Sequence, residues 1–298
     1  MKKTGIEASL IALTALIMSF SPYASWLFVL MSVYALLTVS WLFMIRIGRI
    51  SMGHSFLFGF PVFLASAGYS LSPELSFQLF LAGSLAGFAV FYVFSEFTGR
   101  TAFVFLTLVF SLFVWIVSPK FSFQIEGYIL GGEVGFAFPA LNQRQLHIVS
   151  GISLVSVFAL FRILEKSRLG YMMRAVGDDE TASKAIGIDL RKIKAITVIL
   201  SGLSAWIGGL IYGFEFGHIS PEIFSIEFSV FPFIASLLSA GNPLAAVFSS
   251  FALVYLSKVL NSLYPGLAGV MYGAVLVASP KIGRWTYAKG KRLGEKIG

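Results

Sequence analysis

The sequence predicts an all-α integral membrane protein, a polytopic helical bundle of about ten transmembrane segments with both termini in the cytoplasm. Three observations carry the prediction. Of 298 residues, 57% are hydrophobic and only 12% charged, about half the charge of an ordinary globular protein. Apolar runs recur along the chain at lengths near the ~20 residues a helix needs to cross a bilayer. Its Lys and Arg residues gather on one side of those runs, as cytoplasmic loops do. A soluble enzyme, a disordered chain and a nucleic-acid-binding domain are excluded on composition. With no cysteine, disulfides, thiolate metal sites and cysteine nucleophiles are excluded too.

In chain order, the predicted spans are 5–21, 25–45, 54–71, 75–97, 101–118, 147–164, 194–213, 227–240, 244–263 and 266–280. The first follows Met1-Lys2-Lys3, as in a signal peptide, but Ser21-Pro22 offers no A-x-A-like cleavage site. It is read as a retained span. Ser72-Pro73, Gly99-Arg100 and Asn242-Pro243 punctuate later spans. The runs are long and uninterrupted, so helices are expected, not the short alternating strands of a barrel. Residues 1–280 thus form a membrane domain with an external loop at 119–146 and a charged cytoplasmic loop at 165–193, followed by a basic cytoplasmic tail at 281–298.

Ten spans with the N-terminus inside leave only Lys120, Arg144 and Lys258 of the 22 basic residues outside or near the outer surface. A nine-span arrangement puts either the 165–194 loop or the tail on the wrong side. Moving the tail alone misplaces Lys281, Arg284, Lys289, Lys291, Arg292 and Lys296. The net charge of +8 is therefore a topology signal and needs no nucleic-acid partner.

Ionisable residues inside spans are the first functional candidates. Those singled out are His54, Glu96 and Lys258. His54 opens a span and reads either as a pore-lining or gating group or as a helix-end histidine bonded to a carbonyl. Glu96 is expected to pair with Arg100 one turn later, and Lys258 to snorkel outward. No acid falls at an obvious midplane position, which argues against a secondary carrier. His54, His147 and His218 have no metal-site spacing, and no G-x-x-x-x-G-K-[ST] loop exists to hold ATP. An intramembrane enzyme would require a catalytic constellation that the sequence does not display.

Small residues recur every four positions: Ser201, Ala205, Gly209 and Gly213 on one span, Gly83 and Gly87 on another, Gly269 and Gly273 on a third. Such faces let helix backbones approach closely in a membrane, as static packing or as a sliding seam. In the 165–193 loop, Asp178 or Asp179 can cap a short helix and Gly187 can end it. Its face Ala182, Ala185, Ile186 suits docking into a groove on a soluble partner; an interfacial loop lying on anionic lipid would read the same way.

This loop resembles the coupling-loop region of ABC permeases for branched-chain amino acids, the LivM-type membrane subunit. Ser167, Arg168, Gly170, Arg174, Ala175, Glu180, Ala182, Ala185, Gly187 and Ile188 stand at the places of the family's S-R-x-G-R-x-x-R-A-I-R-x-N-E-x-A-A-x-A-x-G-I. Ser51, Gly53, His54, Phe58 and Gly59 are similar to its S-x-G-H-x-x-F-F-G-x-G-A-Y, with Phe60-Pro61-Val62 in place of G-A-Y. Arg100-Thr101 through Leu106-Thr107-Leu108 resembles R-x-x-G-x-Y-F-A-x-L-T-L, and Ser220-Pro221 with Phe224-Ser225 resembles S-P-x-x-F-S. Ser239-Ala240-Gly241-Asn242-Pro243 replaces the family's G-G-x-G-S-x-x-G-P turn.

The resemblance implies an importer subunit that binds no cofactor itself. It would work with a second, related permease subunit in a heterodimer and an extracytoplasmic substrate-binding protein. Two cytoplasmic ABC ATPase subunits would use ATP and Mg. Branched-chain or similar apolar amino acids are the implied cargo; a sugar, urea or a nucleoside is the alternative. Asp179, Glu180, Ala182, Ala185 and Gly187 are then expected to couple to the ATPases. Ser51, Gly53, His54, Phe58 and Gly59 are expected at the pore or gate, and Ser201, Ala205, Gly209 and Gly213 in a packing seam.

Overall fold

The computed structural model describes residues 2–125, 128–239 and 241–278. The basic tail 281–298, and with it the side on which the chain ends, lies outside the described residues. Each predicted span coincides with a helix. The first five are α1 (Lys2–Met18), α2 (Pro22–Arg46), α3 (His54–Tyr69), α4 (Pro73–Phe97) and α5 (Arg100–Val117). After the 119–146 loop comes α6 (Gln143–Glu165), then α7 (Arg168–Asp178) and α8 (Glu180–Ala185) in the charged loop. Next are α9 (Leu190–Phe216), α10 (Ile226–Leu238), α11 (Pro243–Leu263) and α12 (Leu267–Ala278).

The punctuating dipeptides act as helix starts. Pro22, Pro73 and Pro243 occupy first turns, where a missing N–H costs nothing. Ser72 accepts from the Leu75 N–H, and Asn242 from those of Leu244 and Ala245.

Among the described residues, α2, α4, α5 with the 3-10 turn that follows it, α6, α9 and α11 are long and apolar enough to cross a membrane. That is six of the ten predicted spans. Helices α3 and α10, with 16 and 13 residues, reach only about 24 and 20 Å, short of the ~30 Å hydrocarbon core. Helix α3 starts inside the bundle. His54, the first residue of α3, is fully buried and bonded to Ser40, which lies six residues, or about 9 Å, above the end of α2.

Helix α2 is the axis of the bundle. Its apolar window is 89% buried, against 22% for α4 and for α5, which keep broad apolar faces for lipid. It packs against α9, α11 and α6, while α3 lies along α4. Helix α3 runs through Pro61, and a Cβ on Gly83 would stand 2.9 Å from the Pro61 Cα. At Gly83 the two backbones therefore approach closely, whereas a Cβ on Gly87 would meet only the Leu57 side chain, at 3.7 Å. Gly269 and Gly273 behave otherwise: nothing lies within 4 Å of a Cβ at either, so among the described residues this pair packs no helix of this chain.

Three further expectations need correction. The 119–146 loop contains strands, which an all-α fold does not include. It carries an antiparallel ribbon, β1 (Ser122–Ile125) with β2 (Tyr128–Gly131), and a short strand, β3 (Phe136–Ala137), that pairs with β4 (His218–Ile219). The fold is thus helical with two small ribbons, not purely α. Glu96 does not pair with Arg100: α4 ends at Phe97 and Thr98 is extended, so the two residues share no helix face. Finally, the bundle holds an acid that the sequence pattern did not single out. Glu7 on α1 is buried and paired with Arg162 of α6, whose Nε donates to Glu7 Oε2 at 2.7 Å.

Candidate functional site

The charged loop folds as two helices, of which α8 is the expected short one. Asp179 is its N-cap, accepting from the N–H groups of Thr181 and Ala182 at 2.7 and 3.0 Å. Those two bonds favour the ionised carboxylate and hold the Asp179 pKa below the usual aspartate value. Gly187 ends the turn with φ +85°, a left-handed geometry that suits glycine. Ala182, Ala185 and Ile186 are all solvent-facing, while Ser183 faces inward. The cap is stable above the ordinary aspartate pKa of about 3.9 and is lost as pH falls through the lowered folded value. Amide exchange across 180–186 should therefore quicken in acid at a lower pH in wild type than an unshifted aspartate would give. Asp179→Ala should raise it at every pH.

Glu180 faces the bundle instead of the solvent. Its Oε1 accepts from Arg49 Nη2 at 3.0 Å, and its Oε2 lies 2.9 Å from Lys194 Nζ at the base of α9. Arg49 is 2% exposed; it also donates to the Thr98 carbonyl at 2.7 Å and lies over the Phe103 ring. Glu96 completes the set, pairing with Arg191 at 3.2 Å and Lys194 at 3.6 Å. Arg100 donates to the Val176 and Asp178 carbonyls at the end of α7. A Cβ on Gly177 would stand 2.5 Å from the Arg46 carbonyl, so α7 is seated directly on the end of α2. These ties fix α8 to the junctions of α2–α3, α4–α5 and α9.

Two residues past Arg49 the chain enters the bundle. Trp41 Nε1 donates to the Ser51 carbonyl at 2.8 Å, and the Met52 N–H to Thr107 Oγ1 at 3.2 Å. A Cβ on Gly53 would overlap the Thr107 carbonyl. His54 Nε2 lies 2.6 Å from Ser40 Oγ, which donates to the Ser201 carbonyl at 2.8 Å; Ser201 Oγ returns a bond to the Ser40 carbonyl at 2.9 Å. With the Ser40 proton on the Ser201 carbonyl, His54 donates from Nε2. Its Nδ1 is then a buried acceptor with no partner among the described residues.

The other unwound segment comes down to meet it. After β4, residues Pro221–Phe224 form a 3-10 turn packed into the bundle. The Phe224 carbonyl accepts from Ser55 Oγ at 3.3 Å and from Ser111 Oγ at 3.5 Å. Ser55 and Ser111 are 2.7 Å apart, and Ser229 Oγ donates to Ser55 Oγ at 2.6 Å. Backbone that leaves the helix at membrane depth must find partners inside the protein, and here serine hydroxyls from α3 and α5 supply them, with Ser229 of α10 bonded to Ser55 behind them. Gly59 makes room for this segment, since a Cβ there would lie 2.9 Å from Ile223 Cγ2.

The predicted residues therefore fall into one connected region. Ser51, Gly53, His54, Phe58 and Gly59 run from the α2–α3 junction into α3, all buried. Ser201 of the seam joins His54 through Ser40, and a Cβ on Gly209 would overlap the Phe58 carbonyl. Ala205 is fully buried. Gly213 differs, for its close neighbour belongs to the 119–146 loop: a Cβ there would lie 2.8 Å from Phe138 Cδ1. His54 bonds a hydroxyl and not a carbonyl, and has no exposed surface in this conformation. Sequence reasoning missed Arg49, Ser40, Ser55, Ser111 and Ser229. A serine recurring within otherwise apolar spans was the available signal.

Residues 23–280 match the model of a family described as branched-chain amino acid transport system / permease component. The chain is 27% identical over 133 residues to the high-affinity branched-chain amino acid permease protein LivM of Escherichia coli, covering 44% of this chain and 31% of that one. It is 25% identical over 127 residues to the nucleoside ABC transporter permease NupB of Lactococcus lactis, covering 42% and 34%. It is 28% identical over 109 residues to the guanosine permease NupP of Bacillus subtilis, covering 36% and 30%. The matched stretch spans about a third of the length of these curated relatives. No solved structure matches the chain. With six membrane-length helices and a family match over most of its length, the chain is a multi-pass protein of the prokaryotic plasma membrane and belongs to the branched-chain amino acid transport system / permease component family.

Proposed function

We propose that this chain is a membrane subunit of an ABC importer for branched-chain or similar apolar amino acids, pairing with a related permease subunit. The observation that carries the reading is helix α8: open to solvent on Ala182, Ala185 and Ile186, and tied by Glu180 to both Arg49 and Lys194. A push on such a helix reaches the start of α3 and the foot of α9 without passing through a flexible link. Two cytoplasmic ATPases, using ATP and Mg, would dock on that face, and an external binding protein would deliver cargo. Ten spans with both termini inside remain the topology of this proposal. Residues Ser51 to Gly59 and the Phe224 segment then form the part of the bundle that rearranges.

Nucleosides are the second reading, favoured by the likeness to NupB and NupP. The test is ligand binding by the soluble binding protein encoded beside this chain, titrated with leucine, isoleucine, valine and guanosine. Binding of the aliphatic amino acids supports the first reading, and binding of guanosine alone replaces it with the second. The purified chain by itself should hydrolyse no ATP; robust hydrolysis would refute both.

A further inference from the structure

We propose that the groove between α1 and α6 is a binding site for one anionic glycerophospholipid. The groove has a cavity volume of about 940 Å³ and runs between the C-terminal half of α1 and the N-terminal half of α6, closed at one end by Pro22 and Ser25 of α2. Its walls are Ala12, Ala15, Leu16, Gly151, Ile152 and Val155. Small residues close its floor: a Cβ on Gly151 would meet the Ala15 Cβ at 3.6 Å, ordinary van der Waals contact. Leu16 and Ile152 are themselves exposed, so the groove opens to the lipid side of the bundle.

Polar groups on the groove floor are already satisfied. His147 Nδ1 lies 2.9 Å from Ser25 Oγ, and its Nε2 lies 2.9 Å from the Ala15 carbonyl. The unsatisfied groups sit at the mouth. Gln143 Nε2 is buried without a hydrogen-bond partner among the described residues. Arg144 is exposed at the mouth and forms no ion pair among the described residues. A phosphodiester is an anion whose oxygens accept from an exposed guanidinium such as that of Arg144.

The dimensions fit one leaflet. Gln143 to Ser156 is thirteen residues, about 20 Å along α6. Half the hydrocarbon core is ~15 Å, and the rest reaches the headgroup level, where Gln143 and Arg144 begin the helix. An acyl chain would lie against Ile152 and Val155 with its phosphate beside Arg144. A neighbouring protein helix is the competing occupant; an apolar helix would bring no anion to Arg144, so the lipid is favoured.

The full chain, extracted from vesicles of equal phosphatidylglycerol and phosphatidylcholine, is to be examined by native mass spectrometry. Wild type should retain phosphatidylglycerol in preference. Arg144→Gln should lose about tenfold of that preference, as one charge-assisted hydrogen bond is worth. Gly151→Leu should lower retention of both lipids by filling the groove; should it fail to fold, Arg144→Gln still decides. Equal retention of the two lipids by wild type, or an unchanged preference in Arg144→Gln, overturns the proposal. So does preferential cross-linking of Ile152→Cys, in a chain with no other cysteine, to another subunit over a lipid probe.

Discussion

Glu180→Arg should remove most substrate-stimulated ATP hydrolysis from the assembled transporter while the chain still inserts. In the native structure this carboxylate bridges Arg49 and Lys194 at 3.0 and 2.9 Å. Reversing its charge places three cations together and strips Arg49, 2% exposed, of its carboxylate. Breaking a buried pair in this way costs about 3–5 kcal/mol, enough to detach α8 from the bundle but not to extract spans from the membrane. Glu180→Gln keeps hydrogen-bonding atoms and should fall between the two. Arg49→Glu combined with Glu180→Arg should recover part of the loss, with a coupling energy of about 0.5–3 kcal/mol. Ile186→Glu is the contrast: it lies on the exposed face, 75% accessible, and should weaken ATPase docking while leaving the ion pairs intact. Gly187→Pro should resemble Glu180→Arg, because proline cannot adopt φ +85°. Wild-type stimulation and uptake in Glu180→Arg and Gly187→Pro would remove the coupling role.

Gly209→Ala and Gly53→Ala should each lower the thermal midpoint of the chain in detergent and abolish uptake. At both positions the added methyl would overlap a backbone carbonyl, of Phe58 and of Thr107 respectively. A carbonyl in a helix cannot swing aside as a side chain does, so two helices must separate. Overpacking of this sort typically costs about 1–3 kcal/mol. Gly269→Ala and Gly273→Ala supply the control, since the same pattern there has nothing within 4 Å. Their midpoints should be unchanged or higher, because alanine favours helix over glycine. A drop for Gly269→Ala equal to that for Gly209→Ala would show that steric overlap is not the cause.

Those glycines show where sequence was legible and where it was not. Helix existence and start points followed from local chemistry: apolar length, Pro at first turns, Ser72 and Asn242 as caps. Asp179 and Gly187 were legible for the same reason. What failed depended on partners distant in sequence. Three small-residue ladders look alike in one dimension, yet one meets α3 at Phe58, one meets it at Pro61, and one meets no described helix of the chain. Glu96 has a basic residue four positions on, but extended Thr98 turns it toward Arg191 and Lys194 instead. Arg49 reads as one more inner-side charge in a topology argument. Its importance comes from burial between Thr98, Phe103 and Glu180, which no local pattern encodes. The serines around Phe224 matter only because an unwound segment, remote in sequence, needs their hydroxyls.

That unwound segment also bears on how the protein is made. Helix α10 is about 20 Å long by its 13 residues, and it follows backbone whose Phe224 carbonyl depends on Ser55 and Ser111. Presented alone to a bilayer during synthesis, it is too short to span and carries an exposed carbonyl. Its stable entry therefore waits until α3 and α5 are already in place. Biogenesis has a required order, in which the first half of the chain serves as the template on which residues 218–238 are laid down.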